Sequence, residues 1–260
     1  MVIVAIGAPW IAPFDPSTIH KEMTLQPPGD PFFFGTDSLA RDFFSRIIYG
    51  ARVSLTVGVG AVGLSIFIAT IIGLLSGYFG GTFDTIFQRI IDAFMAFPWL
   101  LIMLTIMAVL GPGTGNVILA MAIGGFSGSS RVIRSAVLTV KENEFVIAAR
   151  AIGFSHVRIL FQHVLPNVVA PIIVVATMGL GNAILAESAL SFLGFGVPPP
   201  TPSWGRMLSW DGLTYMFQAP WLAIFPGMAI SLAVFGFNML GDALRDLLDP
   251  KLTGGLRGRT

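Results

Sequence analysis

The chain has no cysteine, so neither a disulfide frame nor a thiolate metal site can be built from it. Three histidines without HExxH-type spacing leave little for an imidazole metal site. Only three lysines occur, Lys21, Lys141 and Lys251, and none follows a glycine. The phosphate-cradling GK[ST] loop is therefore missing, and ATP chemistry of the usual kind needs another polypeptide. Charge is scarce as well: 11% of the 260 residues are charged, against about 25% in soluble domains. A net charge of +1 gives no reason to expect nucleic acid as a partner.

What is abundant is apolar surface, with 54% hydrophobic residues and a mean hydropathy of +0.81. That composition belongs to membrane proteins, where a spanning helix takes about 20 apolar residues. The stretch between Arg52 and Asp84 carries no charge and predicts a span at roughly 53–77. A second uncharged run lies between Asp92 and Arg131, divided by GPGTGN at 111–116. Its Gly-Pro and Gly-Asn signals predict a tight reversal between spans near 86–110 and 117–136. Further spans are expected near 168–189 and 221–241. The N-terminal MVIVAIGAPW has no basic n-region or clear small-residue cleavage site, and so does not read as a signal peptide. Residues 1–14, short and carrying Pro9 and Pro13, read instead as the remnant of a first spanning helix.

The fold class expected is therefore all-α: a polytopic membrane protein with five complete transmembrane helices and a short or truncated first one. Lys and Arg near the span ends set the orientation. Ten fall in the loops that include 137–165 and the C-terminus, five in the loops 15–50 and 190–220. The first set is expected in the cytoplasm. The second is expected outside, where Trp204, Trp210, Tyr215 and Trp221 suit a membrane interface. The expected layout is an extracytoplasmic loop 15–50 with an amphipathic helix and a transmembrane domain 51–246. That domain carries a cytoplasmic segment 140–166 and an outer loop 190–220, and a tail follows at 247–260. GVGAVG at 58–63 matches a dinucleotide fingerprint by letter, but it lies inside a span, where small residues allow close helix packing.

One stretch interrupts the apolar runs: EFVIAARAIGFSHVRILFQHVLPN at 144–167. Phe145, Ala149 and Ile152 form an expected apolar stripe on a first short helix, and Val157, Leu160, Phe161 and Val164 one on a second. Gly153 suits the C′ position of the first helix, and Ser155 the cap of the second. An interfacial linker between two spans is one reading; a shaped protrusion for a soluble partner is the other.

The spacing Ala148-Ala149, then Gly153, then His163-x-Leu165-Pro166-Asn167 resembles the EAA signature of ABC-importer permeases. In that family the segment is a coupling helix that docks on a nucleotide-binding subunit. Ile147 stands where the signature has its glutamate, and Glu144 lies one turn earlier. FGTDSLARDFFSRIIYGARVSL at 34–55, with Ala40 in place of a usual glycine, resembles the dipeptide/oligopeptide/nickel permeases of the C type. So do GYFGG at 77–81, with Asp84, Arg89 and Asp92, and AESALSFLGFGVPPPTPSWG at 186–205.

The resemblance implies a non-catalytic permease subunit of an ATP-driven, binding-protein-dependent importer of di- or oligopeptides, with nickel chelates or another small solute as the alternative. It implies a second homologous permease, two nucleotide-binding ATPase subunits that carry the ATP and Mg, and an extracytoplasmic substrate-binding protein. This chain would bind no cofactor and would sit in a bacterial or archaeal cytoplasmic membrane with its C-terminus inside. An ion-coupled secondary transporter would instead be expected to place ionisable groups near mid-membrane, which these spans hardly offer. A membrane scaffold would need no shaped elbow.

The expected coupling residues are Glu144, Ala148, Ala149, Gly153, His163, Leu165, Pro166 and Asn167. Glu187, expected near the outer end of a span and within reach of headgroups, is a candidate for the pathway or gate or for an interfacial contact. Met207, Met216 and Phe217 are candidates for lining a permissive passage or for packing the outer loop. Arg89 and Asp92 form an expected local pair, His20 a solvated loop residue, and Asp242, Arg245, Asp246 and Asp249 a solvated terminal helix.

Overall fold

The computed structural model describes residues 1–248; Asp249 and the rest of the tail lie outside the described residues. Two short helices open the chain, α1 (Val2–Ile6) and α2 (Ala8–Ile11). Then come α3 (Phe43–Phe79), α4 (Gly81–Ala96), α5 (Trp99–Leu110) and α6 (Thr114–Lys141). The interrupting segment forms α7 (Glu144–Ala151), α8 (His156–Ile159) and a π-helical turn, Leu160–Val164, which runs directly into α9 (Leu165–Phe192). A loop carrying α10 (Trp204–Met207) and a second π turn, Leu208–Gly212, leads to α11 (Trp221–Leu248).

Among the described residues, four helical stretches are long and apolar enough to cross a membrane: Phe43–Phe79, Thr114–Lys141, His156–Phe192 and Trp221–Leu248. The fifth expected span, 86–110, is not one straight helix. It is the pair α4 and α5, bent by 88°. The break has a local cause at Phe97-Pro98. Phe97 is extended (φ −96°, ψ 142°) because a residue before proline is driven out of the helical region, and Pro98 has no N–H to continue the ladder. The reversal expected at GPGTGN is present: α5 stops at Leu110, and Asn116 Nδ2 donates to the carbonyls of Leu110 (3.0 Å) and Gly111 (3.1 Å). The expected amphipathic helix within 15–50 is not a separate element. Residues 15–42 hold no helix, and the helical part from Phe43 onward is the start of α3.

The chain forms two compact units. The first contains Met1–Ala61, Met103–Met121 and Leu180–Gly236. Its buried residues include Phe43, Ile184, Leu190, Trp204 and Leu222. Trp204 anchors the loop after α9: its Nε1 donates to the Ile47 carbonyl at 2.9 Å, over Gly50, where a Cβ would meet the indole at 2.9 Å. The loop 15–42 is tied down by Asp37, which is buried. Asp37 accepts from the backbone N–H groups of Leu39 and Arg41 (both 2.9 Å) and from Arg41 Nε (2.7 Å), with Arg46 Nε 3.3 Å away. His20, expected to be solvated, instead packs its ring against Phe14 (4.9 Å) and Phe32 (5.0 Å).

The second unit contains Val62–Ile102, Ala122–Gly179 and Phe237–Thr260, described as far as residue 248. Its core joins Leu74, Tyr78, Ile91, Phe126, Ile133 and Val137 to Val146, Ala149, Ile159, Leu160 and Val164. Helices α3 and α6 approach closely at Gly73 and Gly77, where a Cβ would lie 2.9 Å from Ile133 and from Val137. This small-xxx-small contact is one packing device, and GVGAVG supplies another in the first unit: a Cβ on Gly60 would lie 3.0 Å from Ile118 of α6, and one on Gly58 3.8 Å from Ile184 of α9. Asp242, Arg245 and Asp246 are exposed on the last helix, as expected of a solvated end.

Candidate functional site

The segment 144–167 is two short helices around a glycine. Helix α7 ends in a Schellman motif: the Phe154 N–H reaches the Ala149 carbonyl and the Gly153 N–H the Arg150 carbonyl, both at 3.1 Å, with Gly153 at φ +84°. Ser155 caps α8, its hydroxyl accepting from the Arg158 N–H at 3.4 Å. The π turn has a chemical reason in the sequence. Pro166 has no N–H to offer the preceding turn, and the ladder widens ahead of it, the Leu165 N–H reaching back to the Leu160 carbonyl. The Asn167 side chain then donates to the His163 carbonyl at 2.7 Å. The His163 ring lies 5.8 Å from Phe154 and 6.5 Å from Phe145, so it bridges the two helices.

Which faces are buried differs from the periodicity reading. On α7 the buried residues are Val146 and Ala149, while Phe145 and Ile152 are exposed. On the second helix Ile159, Leu160 and Val164 are buried, while Val157 and Phe161 are exposed. The expected stripes mixed two faces because short helices embedded in a core take their register from the partner, not from their own moment. Ala148, Pro166, Asn167 and Glu144 are exposed, Leu165 and His163 half-buried. Ile147, at the signature's acid position, is 52% exposed. The exposed large apolar side chains of the segment are Phe145, Ile147, Ile152, Val157 and Phe161, with Arg150 and Arg158 exposed among them.

Three contacts that periodicity did not foresee tie the helices of this unit together, and the first of them reaches the segment itself. Tyr78 Oη and His156 Nδ1 are 2.9 Å apart, with the Arg150 guanidinium 5.8 Å over the Tyr78 ring. Lys141 Nζ donates to the Gly77 carbonyl at 2.9 Å. Asp84 receives Arg134 Nε at 2.7 Å and the Ser76 hydroxyl, joining α4 to α6 and α3. The available signal was GYFGG followed by Asp84, whose partners lie on other helices. Asp92 pairs with Arg89 at 3.3 Å, as expected, and also with Arg131.

The candidate pathway residues do not come together. Glu187 is 0% exposed inside the first unit, where Ser54 (3.0 Å) and Ser191 (2.7 Å) donate to its two oxygens. Met207 is 2% exposed and packs the loop, so it lines no passage here. Phe217 is 95% exposed, and Met216 and Trp210 are exposed near it in sequence.

In the π turn after α10, Asp211 is buried and accepts from the Ser38 hydroxyl. Burial pushes its carboxyl above the ordinary range; the Ser38 bond opposes this, nearby Asp37 adds to it, and Arg41 and Arg46 oppose it. A raised folded-state value means that folding favours the protonated form, so this group's contribution is lost as pH rises from the ordinary carboxylate range through the raised one. Asp211→Asn is therefore expected to raise the melting temperature at pH 8 and to give no gain near pH 4. Thermal unfolding of the purified protein across that range checks this; an equal change at every pH would contradict it.

Apolar spans, a broken helix and a shaped two-helix elbow define a polytopic membrane protein. The chain belongs to the family described as binding-protein-dependent transport system inner membrane components, matched over residues 69–254. It is 46% identical over 251 residues to the dipeptide transport system permease protein DppC of Alkalihalophilus pseudofirmus, covering 96% of this chain and 82% of that one. To the glutathione transport system permease protein GsiD of Escherichia coli it is 45% identical over 255 residues, covering 98% and 84%. Among solved structures it resembles a chain of the methionine ABC transporter MetNI in an inward-facing conformation, with a TM-score of 0.64 at 16% identity. That match covers 79% of this chain and 97% of the other. The fold is thus that of ABC importer permeases, and the family is the one the EAA-like and outer-loop motifs resemble.

Proposed function

We propose that this chain is one permease subunit of an ATP-driven importer of small peptides, and that the segment 144–167 is where ATP hydrolysis on separate subunits is converted into its movement. The names of the relatives, which transport dipeptides and glutathione, support the substrate class. The observation that carries the coupling reading is the division of the segment into two faces. Val146, Ala149, Ile159, Leu160 and Val164 are built into the core of one unit, while Phe145, Ile147 and Ile152 are exposed. A push on these exposed side chains moves α3, α6 and α9 as packed bodies rather than bending a loop.

In this reading the two ATPase subunits hold the ATP and Mg, and this chain binds neither. A second homologous permease completes the pathway. The segment 144–167 and the C-terminus lie in the cytoplasm, and an extracytoplasmic binding protein delivers substrate to loops 15–42 and 193–220. Ile147 makes the ATPase contact depend on apolar shape where a glutamate would have supplied charge. Glu144, exposed in the first turn of α7, supplies the remaining acid.

The test is reconstitution of this chain with its genomic partner permease, ATPases and binding protein in proteoliposomes. ATP-dependent uptake of a labelled dipeptide is expected, together with crosslinking of a cysteine at Ile147 to the ATPase. Uptake driven by an ion gradient without ATP, or crosslinking that never reaches the ATPase, overturns the reading.

A further inference from the structure

Glu187 is a fully buried carboxylate in a helix that crosses the membrane, where an unpaired charge costs several kcal/mol. It is not a packing accident, because both its oxygens are used by different parts of the fold. Ser54, from α3, donates to Oε2 at 3.0 Å, and Ser191, one turn along α9, donates to Oε1 at 2.7 Å. Ser191 in turn accepts from Ser203 at 3.2 Å, the residue at which the loop returns to form α10. Ser54, Ser191 and Ser203 are themselves buried. Immediately after Ser203, Trp204 donates to the Ile47 carbonyl, and Gly205 lies so close to α9 that a Cβ would sit 2.5 Å from the Ser188 Cα. The returning loop is thus seated by a polar relay, Glu187–Ser191–Ser203, next to an apolar anchor.

We propose that Glu187 is the positioning residue for this loop. It fixes the seat of residues 203–212 against α3 and α9, and that seat carries the signal of binding-protein docking into the spans. The second half of this statement rests on the proposed importer function; the first does not. The relay requires acceptors at both carboxylate positions, or an acceptor and a donor that the serine hydroxyls turn to meet. Glutamine satisfies the second pattern, since serine both donates and accepts. Leucine fills similar volume and satisfies neither, leaving Ser54 and Ser191 buried without their partner.

The experiment compares Glu187→Gln and Glu187→Leu in the complete importer in nanodiscs, with two readouts. In hydrogen exchange, amides within 203–212 are expected to exchange about tenfold faster in Glu187→Leu and near wild-type rates in Glu187→Gln. In ATPase assays, Glu187→Leu is expected to keep the basal rate but to need roughly tenfold more liganded binding protein for half-maximal stimulation, while Glu187→Gln behaves as wild type. Unchanged exchange in 203–212 in Glu187→Leu overturns the positioning role. So does an equal loss of basal and stimulated ATPase with failed assembly in Glu187→Leu that Glu187→Gln shares. A wild-type complex that no binding protein stimulates overturns the importer function instead, and the exchange readout then judges Glu187 alone.

Discussion

Replacing Gly153 by valine is expected to cut uptake at least tenfold while ATP hydrolysis by the assembled complex continues. The residue sits at φ +84°, and a Cβ added there would meet nothing within 4 Å, so no side-chain clash is involved. The cost is purely backbone: a left-handed residue with a Cβ costs roughly 1–2 kcal/mol, and a β-branched one is a genuine outlier there. Relief comes only by unwinding the Schellman motif, which releases the Phe154–Ala149 and Gly153–Arg150 hydrogen bonds and changes the angle between α7 and α8. Under the coupling reading, the exposed side chains of α7, Phe145 and Ile147, then no longer keep their position relative to α8. Gly153→Asn is the control, because asparagine tolerates the left-handed region. It should retain most uptake although it is polar and larger than glycine. Measuring uptake and ATP hydrolysis on the same proteoliposomes decides the matter. Equal behaviour of the valine and asparagine variants would show that the turn's conformation is irrelevant to coupling.

How much of this was legible in the sequence depended on the range of the forces involved. The helical spans, the GPGTGN reversal, Gly153 at C′ and Ser155 as a cap were readable because each follows from neighbours within a few residues. The break at Phe97-Pro98 was equally local, but a hydropathy run conceals a proline, since proline barely changes the sum over a window. The faces of α7 and α8 were misread because the core formed by Leu74, Tyr78 and Ile133 selects Val146 over Phe145, and those residues belong to other helices. Of the partners of Glu187, Ser191 lies one turn along the same helix, but Ser54 was out of reach for the same reason. Ser54 lies 133 positions earlier and is one of many serines in the chain. Ile147 was visible as a departure from the signature, but whether it faced the core or a partner depended on register, and it is exposed. Asp37 stood out no more than Asp42 in the FGTDSLARD stretch, and its role as a hub emerged only with the fold of the loop.

That hub supports the second large effect: Asp37→Ala is expected to lower the melting temperature of the purified protein by about 10 °C and to expose residues 15–42 to protease. Asp37 collects two backbone N–H groups and the Arg41 guanidinium, with Arg46 3.3 Å away, all around a carboxylate that is itself buried. Removing it leaves Arg41 and Arg46 without the carboxylate they pair with, and breaking a buried pair by deleting one partner costs about 3–5 kcal/mol. Arg46 also donates to the Pro16 carbonyl at 3.0 Å, so the loss spreads to the other end of the loop. A double variant separates charge from scaffolding. Arg46→Met in the Asp37→Ala background removes one uncompensated cation, and its cost should fall well short of the sum of the two single costs. If the costs simply add, Asp37 and Arg46 are not coupled, and the loop is held by the backbone N–H bonds to Asp37 alone. If they fail to add as expected, the ion cluster is what presents residues 15–42 as a fixed surface, and uptake should recover in the double variant together with protease resistance.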